Sequence, residues 1–219
     1  MSAVFTLDRA TNTFLDAAGR RFDPEQRKWL PASRKKARPG KAEMLDAIAA
    51  VTWLQRESNY PLRQPIGVIG PREATPRQLA TALKVGELLG DCGLTVLCGG
   101  RQGVMQAVCE GVARVGGLSI GLLPETDMSQ ANPFVGVAIA TGIGEARNAL
   151  IARASFCLIA IGDSLGTLSE VALGRQFGKT VIGLEGAATV EGVQHVGTAR
   201  DAVERAAEAI LAVAQAESL

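Results

Sequence analysis

FCLIAIGDSLGTLSEVALGRQF, residues 156–177, is the most informative stretch of this 219-residue chain. Phe156 to Ile161 run apolar without interruption, the pattern of a strand buried on both faces in a parallel sheet. Gly162-Asp163-Ser164-Leu165-Gly166 follows as a tight turn, and the spacing predicts a helix from Thr167 with Leu168, Val171 and Ala172 inward. A strand, glycine turn and helix in this order aim unpaired backbone N–H groups and the positive end of a helix dipole at one spot, an anion site. Glu170, one turn into the helix, faces the same spot.

The same letters allow two other readings. Thr167-Leu168-Ser169-Glu170 is a capping box, in which both side chains serve the helix's own first N–H groups. Gly162-Asp163-Ser164-Leu165-Gly166 fits the G-x-S-x-G nucleophile elbow of serine hydrolases, whose triad would need His195, the sole histidine, with Glu185 or Glu191.

Outward from this unit the chain repeats its logic. Strands are expected at 66–69, 94–98, 118–123, 135–140 and 181–184, the last of them. Helices are expected at 76–89, after Val104, at 145–154 and at 199–216. Glycine turns at 70–72, 99–103 and 162–166 would gather at the carboxyl edge of the sheet, where such folds bind ligands. The fold class is α/β: a Rossmann-like, doubly wound parallel sheet covered by helices on both faces, with a small N-terminal arm. Residues 1–60 are read as arm, basic linker and a helix through Met44, Ile48 and Val51, the arm holding a hairpin at 4–15; residues 61–219 are the nucleotide-binding domain.

Composition narrows the rest. Apolar residues make up 47% and aromatics 4%, so aliphatic side chains must fill the core. Net charge is +1, which does not advertise nucleic-acid binding, although nine Lys/Arg stand against two Asp/Glu between 20 and 41. That stretch reads as a solvated linker, or else a phosphate-seeking lid or a nucleic-acid contact. The absence of a signal peptide and of any membrane-length apolar run predicts a cytoplasmic protein. Cys92, Cys98, Cys109 and Cys157 form no C-x-x-C pair and read as reduced core thiols; with one histidine, neither a metal nor a resident cofactor is expected.

Motifs in order over residues 64–187 give a resemblance. Gly99-Gly100-Arg101-Gln102-Gly103-Val104-Met105 matches GG-x-x-GVM, and Ala131-Asn132-Pro133-Phe134-Val135 with Thr141-Gly142-Ile143-Gly144-Glu145-Ala146-Arg147-Asn148 matches ANP-x-V and TG-x-x-x-ARN. Gly166-Thr167-Leu168-Ser169-Glu170 keeps the end of PGG-x-GT-x-x-E. The chain resembles the bacterial branch of the Lonely Guy (LOG) family, often mislabelled lysine decarboxylases, within the SLOG/Rossmann-like superfamily. The resemblance implies a homodimer or larger homo-oligomer that binds a nucleoside 5′-monophosphate and hydrolyses its N-glycosidic bond to base and ribose 5-phosphate. It makes Arg147 and Glu170 the catalytic pair. Gly99, Gly100, Arg101, Gly103, Asn148, Ser164, Gly166 and Thr167 are then the nucleotide- or phosphate-binding residues. Two positions depart from the pattern: Gly162-Asp163-Ser164 replaces Pro-Gly-Gly, and Asn148 replaces a lysine. The alternative is a non-enzymatic carrier or sensor of a phosphate-bearing ligand, a nucleotide or the molybdenum cofactor.

Overall fold

The computed structural model describes residues 3–32 and 42–212, in two units: residues 3–32 and 42–62 with 207–212, and residues 63–206. In the first unit, β1 (Phe5–Asp8), β2 (Thr13–Asp16), β3 (Arg21–Asp23), β4 (Lys28–Leu30) and β5 (Ala42–Leu45) form an antiparallel sheet in the order β4-β3-β2-β1-β5. The expected hairpin is therefore the centre of a larger sheet. Met44 belongs to β5 and is 74% exposed, so the helix it was expected to open starts later, as α1 (Ala47–Arg56), capped by the Asp46 carboxylate on the Ala49 N–H at 2.8 Å. Phe5, Phe14, Phe22, Trp29 and Trp53 make the core, with ring centroids 5.1 to 5.8 Å apart. The basic stretch is no linker over 21–30, where it builds β3 and β4; its residues 33–41 lie outside the described residues.

The second unit holds β6 (Ile66–Ile69), α2 (Pro76–Asp91), β7 (Val96–Cys98), α3 (Val104–Arg114), β8 (Ser119–Leu123) and β9 (Val137–Ala140). It continues with α4 (Arg147–Ala154), β10 (Leu158–Ile161), α5 (Leu165–Gln176), β11 (Val181–Leu184) and β12 (Val193–His195), after which α6 spans Ala199–Ile210. The seven strands are all parallel, in the order β12-β11-β10-β6-β7-β8-β9. This is the Rossmann-like α/β sheet, with α2 packed on α3 and α4 on α5. β6, β10 and β11 are buried at every residue, as their unbroken apolar runs require. Ile151 of α4 and Val171 of α5 pack against Ile69, Leu97, Leu158 and Val181. Among the described residues no helix is long and apolar enough to cross a membrane.

The direction of winding reverses between β6 and β10, which are paired neighbours. Their carboxyl ends therefore frame the switch-point crevice where ligands of open α/β sheets settle. Two expectations need correction. β12 is a seventh strand beyond 181–184. α5 starts at Leu165, and its buried residues are Thr167, Glu170, Val171 and Gly174, whereas Leu168 and Ala172 face outward.

Candidate functional site

A cavity of about 900 Å³ opens at the switch point and takes wall residues from all three glycine turns. Gly70, Pro71 and Arg72 come from the turn after β6, Gly99 from that after β7, and Asp163, Ser164 and Gly166 from that after β10. Arg147 and Asn148, the first residues of α4, supply the far wall, and Glu170 of α5 completes it.

Local chemistry builds each wall. Ser164 has extended backbone and caps α5, its Oγ accepting the Thr167 N–H at 3.1 Å and lying 2.9 Å from Thr167 Oγ1. With Ser164 as the cap, Glu170 is released from any capping-box role and turns instead to Arg147. Arg147 Nη1 donates to Glu170 Oε1 at 3.1 Å and to Asn148 Oδ1 at 2.6 Å. Asn148 Nδ2 then donates to Ser169 Oγ at 2.9 Å, locking α4 to α5. The guanidinium lies against Gly99: a Cβ there would stand 2.5 Å from Arg147 Nη2 and 2.6 Å from Met105 Sδ, so any larger residue would displace the arginine or the methionine.

Both members of the pair are buried, Arg147 at 5% and Glu170 at 6% exposure. Burial pushes the Glu170 carboxyl up to about 8; the Arg147 guanidinium pulls it back and Glu145 adds to the rise. Burial thus favours the protonated acid, against the pull of Arg147 at 3.1 Å.

The other residues read from the motifs sit around this centre. Gly100 (φ +72°) and Arg101 form the turn beneath it, held by Asn132, whose Nδ2 donates to both of their carbonyls at 3.0 and 3.2 Å. Gly100 also donates its N–H to Cys98 Sγ at 3.3 Å, and all four cysteines are buried thiols outside any disulfide. Gly103 begins α3 and packs on the Pro71 and Arg72 carbonyls, while Thr167 is buried beneath Ser164. Gly100, Arg101, Gly103 and Thr167 thus support the cavity without lining it. Arg72, Glu73, Met105 and Glu145 line it and were not singled out by sequence reasoning. Glu145 lies two residues before Arg147, a spacing that does not share a helix face; a 3-10 turn over Gly144–Ala146 brings them together.

The serine-hydrolase alternative finds no triad. Ser164 Oγ is engaged with Thr167, His195 lies on the outer strand β12 with β11 between it and β10, and Glu185 is bound to Arg77 at 2.6 Å and to Thr81 at 3.1 Å. Among the described residues no group of three or more His, Cys, Asp or Glu side chains could hold a metal ion.

Comparison with known proteins places this architecture. An uncharacterized protein of Archaeoglobus fulgidus is 38% identical over 138 residues, 63% of this chain and 91% of its own. The molybdenum cofactor binding protein of the phototrophic bacterium Rippkaea orientalis is 36% identical, with a TM-score of 0.63 over 66% of this chain and 96% of its own. The molybdenum cofactor carrier protein of Chlamydomonas reinhardtii is 32% identical, with a TM-score of 0.60 over 68% and 99%. These likenesses and the motif resemblance meet at the level of the SLOG superfamily. The model of one SLOG family matches residues 63–218, which include the whole cavity wall, and by that match the chain belongs to the SLOG cluster4 family.

Proposed function

We propose that this protein binds and carries a phosphate-bearing small molecule of the molybdenum cofactor type in the switch-point cavity, without turning it over. The observation that carries the reading is the buried Arg147–Glu170 pair at the centre of the wall. A carboxyl held near 8 is mostly neutral at pH 7, so the pair presents a cation rather than a catalytic carboxylate. The likeness to molybdenum cofactor binding and carrier proteins over nearly their full length supports the same choice. The test is to incubate the protein with molybdenum cofactor released from a molybdoenzyme, then measure retained metal by mass spectrometry after gel filtration. Wild type should retain close to one molybdenum per chain. Arg147→Ala should lose at least about tenfold in affinity, since a charge-assisted bond to a buried arginine is worth about 1.5–3 kcal/mol.

One observation favours a second reading, the N-glycosidic hydrolase. It is the 3.1 Å contact of Arg147 with Glu170: where this contact keeps the carboxylate ionised, Glu170 can stabilise oxocarbenium charge on the sugar while the arginine holds the phosphate. Release of free base from AMP or a cytokinin monophosphate, abolished in Glu170→Gln, would select it. Under either reading we infer a homo-oligomer, because Leu165, 87% exposed, and the half-exposed Leu150 present apolar surface on α5 and α4.

A further inference from the structure

The cavity wall poses a problem for any anionic ligand. It carries Arg72 and Arg147 but also Glu73, Glu145, Asp163 and Glu170, so net charge does not attract an anion. Geometry has to do it.

Arg147 uses Nη1 for Asn148 and Glu170. Its other edge, Nε with Nη2, is the fork that grips an oxyanion through two parallel bonds. Nε is buried without a hydrogen-bond partner, and Nη2 faces only a carboxylate oxygen of Glu145, 3.9 Å away. Arg101 adds a single donor. Its Nε–Nη2 edge is on the side of Glu125, where Nη2 pairs with Oε1 at 2.8 Å and both Nε and Glu125 Oε2 stay without a partner, while its Nη1 faces the other oxygen of Glu145 at 3.7 Å. One carboxylate thus stands between two guanidinium groups, too far from either for a hydrogen bond. The arginine side chains are 6% and 14% exposed, whereas that of Glu145 is 65% exposed. The donors are built in and the acceptor is loose.

We propose that Glu145 holds the place of the ligand's anionic group, and that Arg101 and Arg147 form an oxyanion subsite from which a phosphate displaces it. This rests on the reading of the cavity as a site for a phosphate-bearing ligand, and it adds a subsite separate from the N-terminus of α5. A buried donor left unpaired is costly, so the orphaned Nε of Arg147, on the edge turned to Glu145, marks an arrangement completed by something else. A tetrahedral oxyanion offers oxygens in several directions and meets the Arg147 fork and Arg101 Nη1 together; a carboxylate tethered at one end cannot. Displacement needs no backbone movement. The turn is held by the Gly142 N–H on the Glu125 carbonyl at 2.9 Å and the Gly144 N–H on the Pro124 carbonyl at 3.0 Å, so rotation of one exposed side chain clears the seat. Arg101 does not line the cavity, and its reach to the seat is through Nη1, 3.7 Å from the Glu145 carboxylate.

The probe is inorganic phosphate, titrated by calorimetry at constant ionic strength. Glu145→Gln, a change at an exposed position that leaves the fold intact, should bind phosphate about tenfold more tightly than wild type, as expected for removing a carboxylate that engages two arginines. Adding Arg101→Ala to Glu145→Gln should cancel that gain. Unchanged or weaker binding in Glu145→Gln, no phosphate binding by either protein, or a gain that survives loss of Arg101 would each overturn the subsite. The molybdenum retention assay run in parallel separates the two readings. A phosphate gain without cofactor retention removes the carrier function and keeps the subsite, while retention with flat phosphate affinity does the reverse.

Discussion

The two units of this chain solve the burial problem with different side chains. The smaller, N-terminal one stacks Phe5, Phe14, Phe22, Trp29 and Trp53, which are most of the aromatic residues the chain has. The larger buries aliphatic strands on both faces and keeps its interior almost free of rings. The reason is area. A short antiparallel sheet with one covered face has few inward positions, and each must remove a large surface from water. A parallel sheet between two helical layers has many, and branched aliphatics pack them evenly. Polar burial differs as well. Asn132, Arg147, Asn148, Thr167 and Glu170 are buried around one edge of the parallel sheet, whereas the described residues of the small unit bury only Ser58 and Glu208 among polar or charged groups. The small unit is organised mainly for packing, and the large one keeps a polar seam that packing by itself would not select.

The most forceful way to break this contrast is Trp53→Ala. Trp53 is fully buried, stacks on Phe14 at 5.2 Å and donates its indole N–H to Asn12 at 3.1 Å. Truncation should cost about 3–5 kcal/mol in denaturant unfolding, while ligand affinity of the folded protein stays within about twofold. A matching loss of affinity would show that the aromatic unit shapes the site.

The next effect is smaller and depends on pH. Glu170 holds its proton to about 8 in the folded chain against an ordinary value of 4.5, so folding favours the protonated form. The unfolded chain releases that proton first as pH rises, and stability falls across the window from about 4.5 to 8, with no further loss above it. Glu170→Gln keeps an acceptor for Arg147 and removes the titration. Melting curves of wild type and variant should lie close at pH 5 and diverge by several degrees at pH 9, with the variant higher. Parallel curves would mean that Arg147 keeps the carboxylate ionised, returning Glu170 to the role a hydrolase requires.

The large unit was the legible one, because a buried parallel strand needs an unbroken apolar run and 66–69, 158–161 and 181–184 are such runs. Val193-Gln194-His195 carries no such signal; an edge strand is read only through its neighbour. The start of α5 was misplaced because Ser164 and Thr167 can both cap a helix, and the choice lay in the extended backbone of Ser164. The face of α5 was misread for a more telling reason. Leucine positions predict Leu168 inward, yet Thr167 and Glu170 are buried and Leu165 and Leu168 face out. A polar pair took the interior, and burial rules fail where a site is being built. Glu145 escaped because its partnership with two arginines is made by a 3-10 turn, which has no strong sequence pattern. In the small unit, β5 follows residues 33–41 and pairs with β1, a long-range register that no local pattern announces.

The subtlest test concerns Asp163, which stands where the motif has glycine. Its Oδ1 accepts the N–H of Ser164 at 2.8 Å, so the carboxylate occupies a backbone donor beside the first turn of α5 that an anion would otherwise use. Two unit charges about 4 Å apart repel by roughly 4 kcal/mol at an effective dielectric of about 20, but this side chain is exposed and water screens most of that. Removing it also frees one N–H. Asp163→Gly should therefore tighten AMP or cofactor binding only about two- to fivefold at low salt, and the gain should fade as the screening length shrinks to about 3 Å near 1 M salt. Ser164 must be left in place, because its Oγ caps α5 and its loss would cost about 1 kcal/mol of helix stability at the site being measured. Affinity that falls in Asp163→Gly would show the carboxylate to be a ligand contact. The cavity would then select its ligand through a donor group facing Asp163, and the phosphate would be left to the arginine side of the wall.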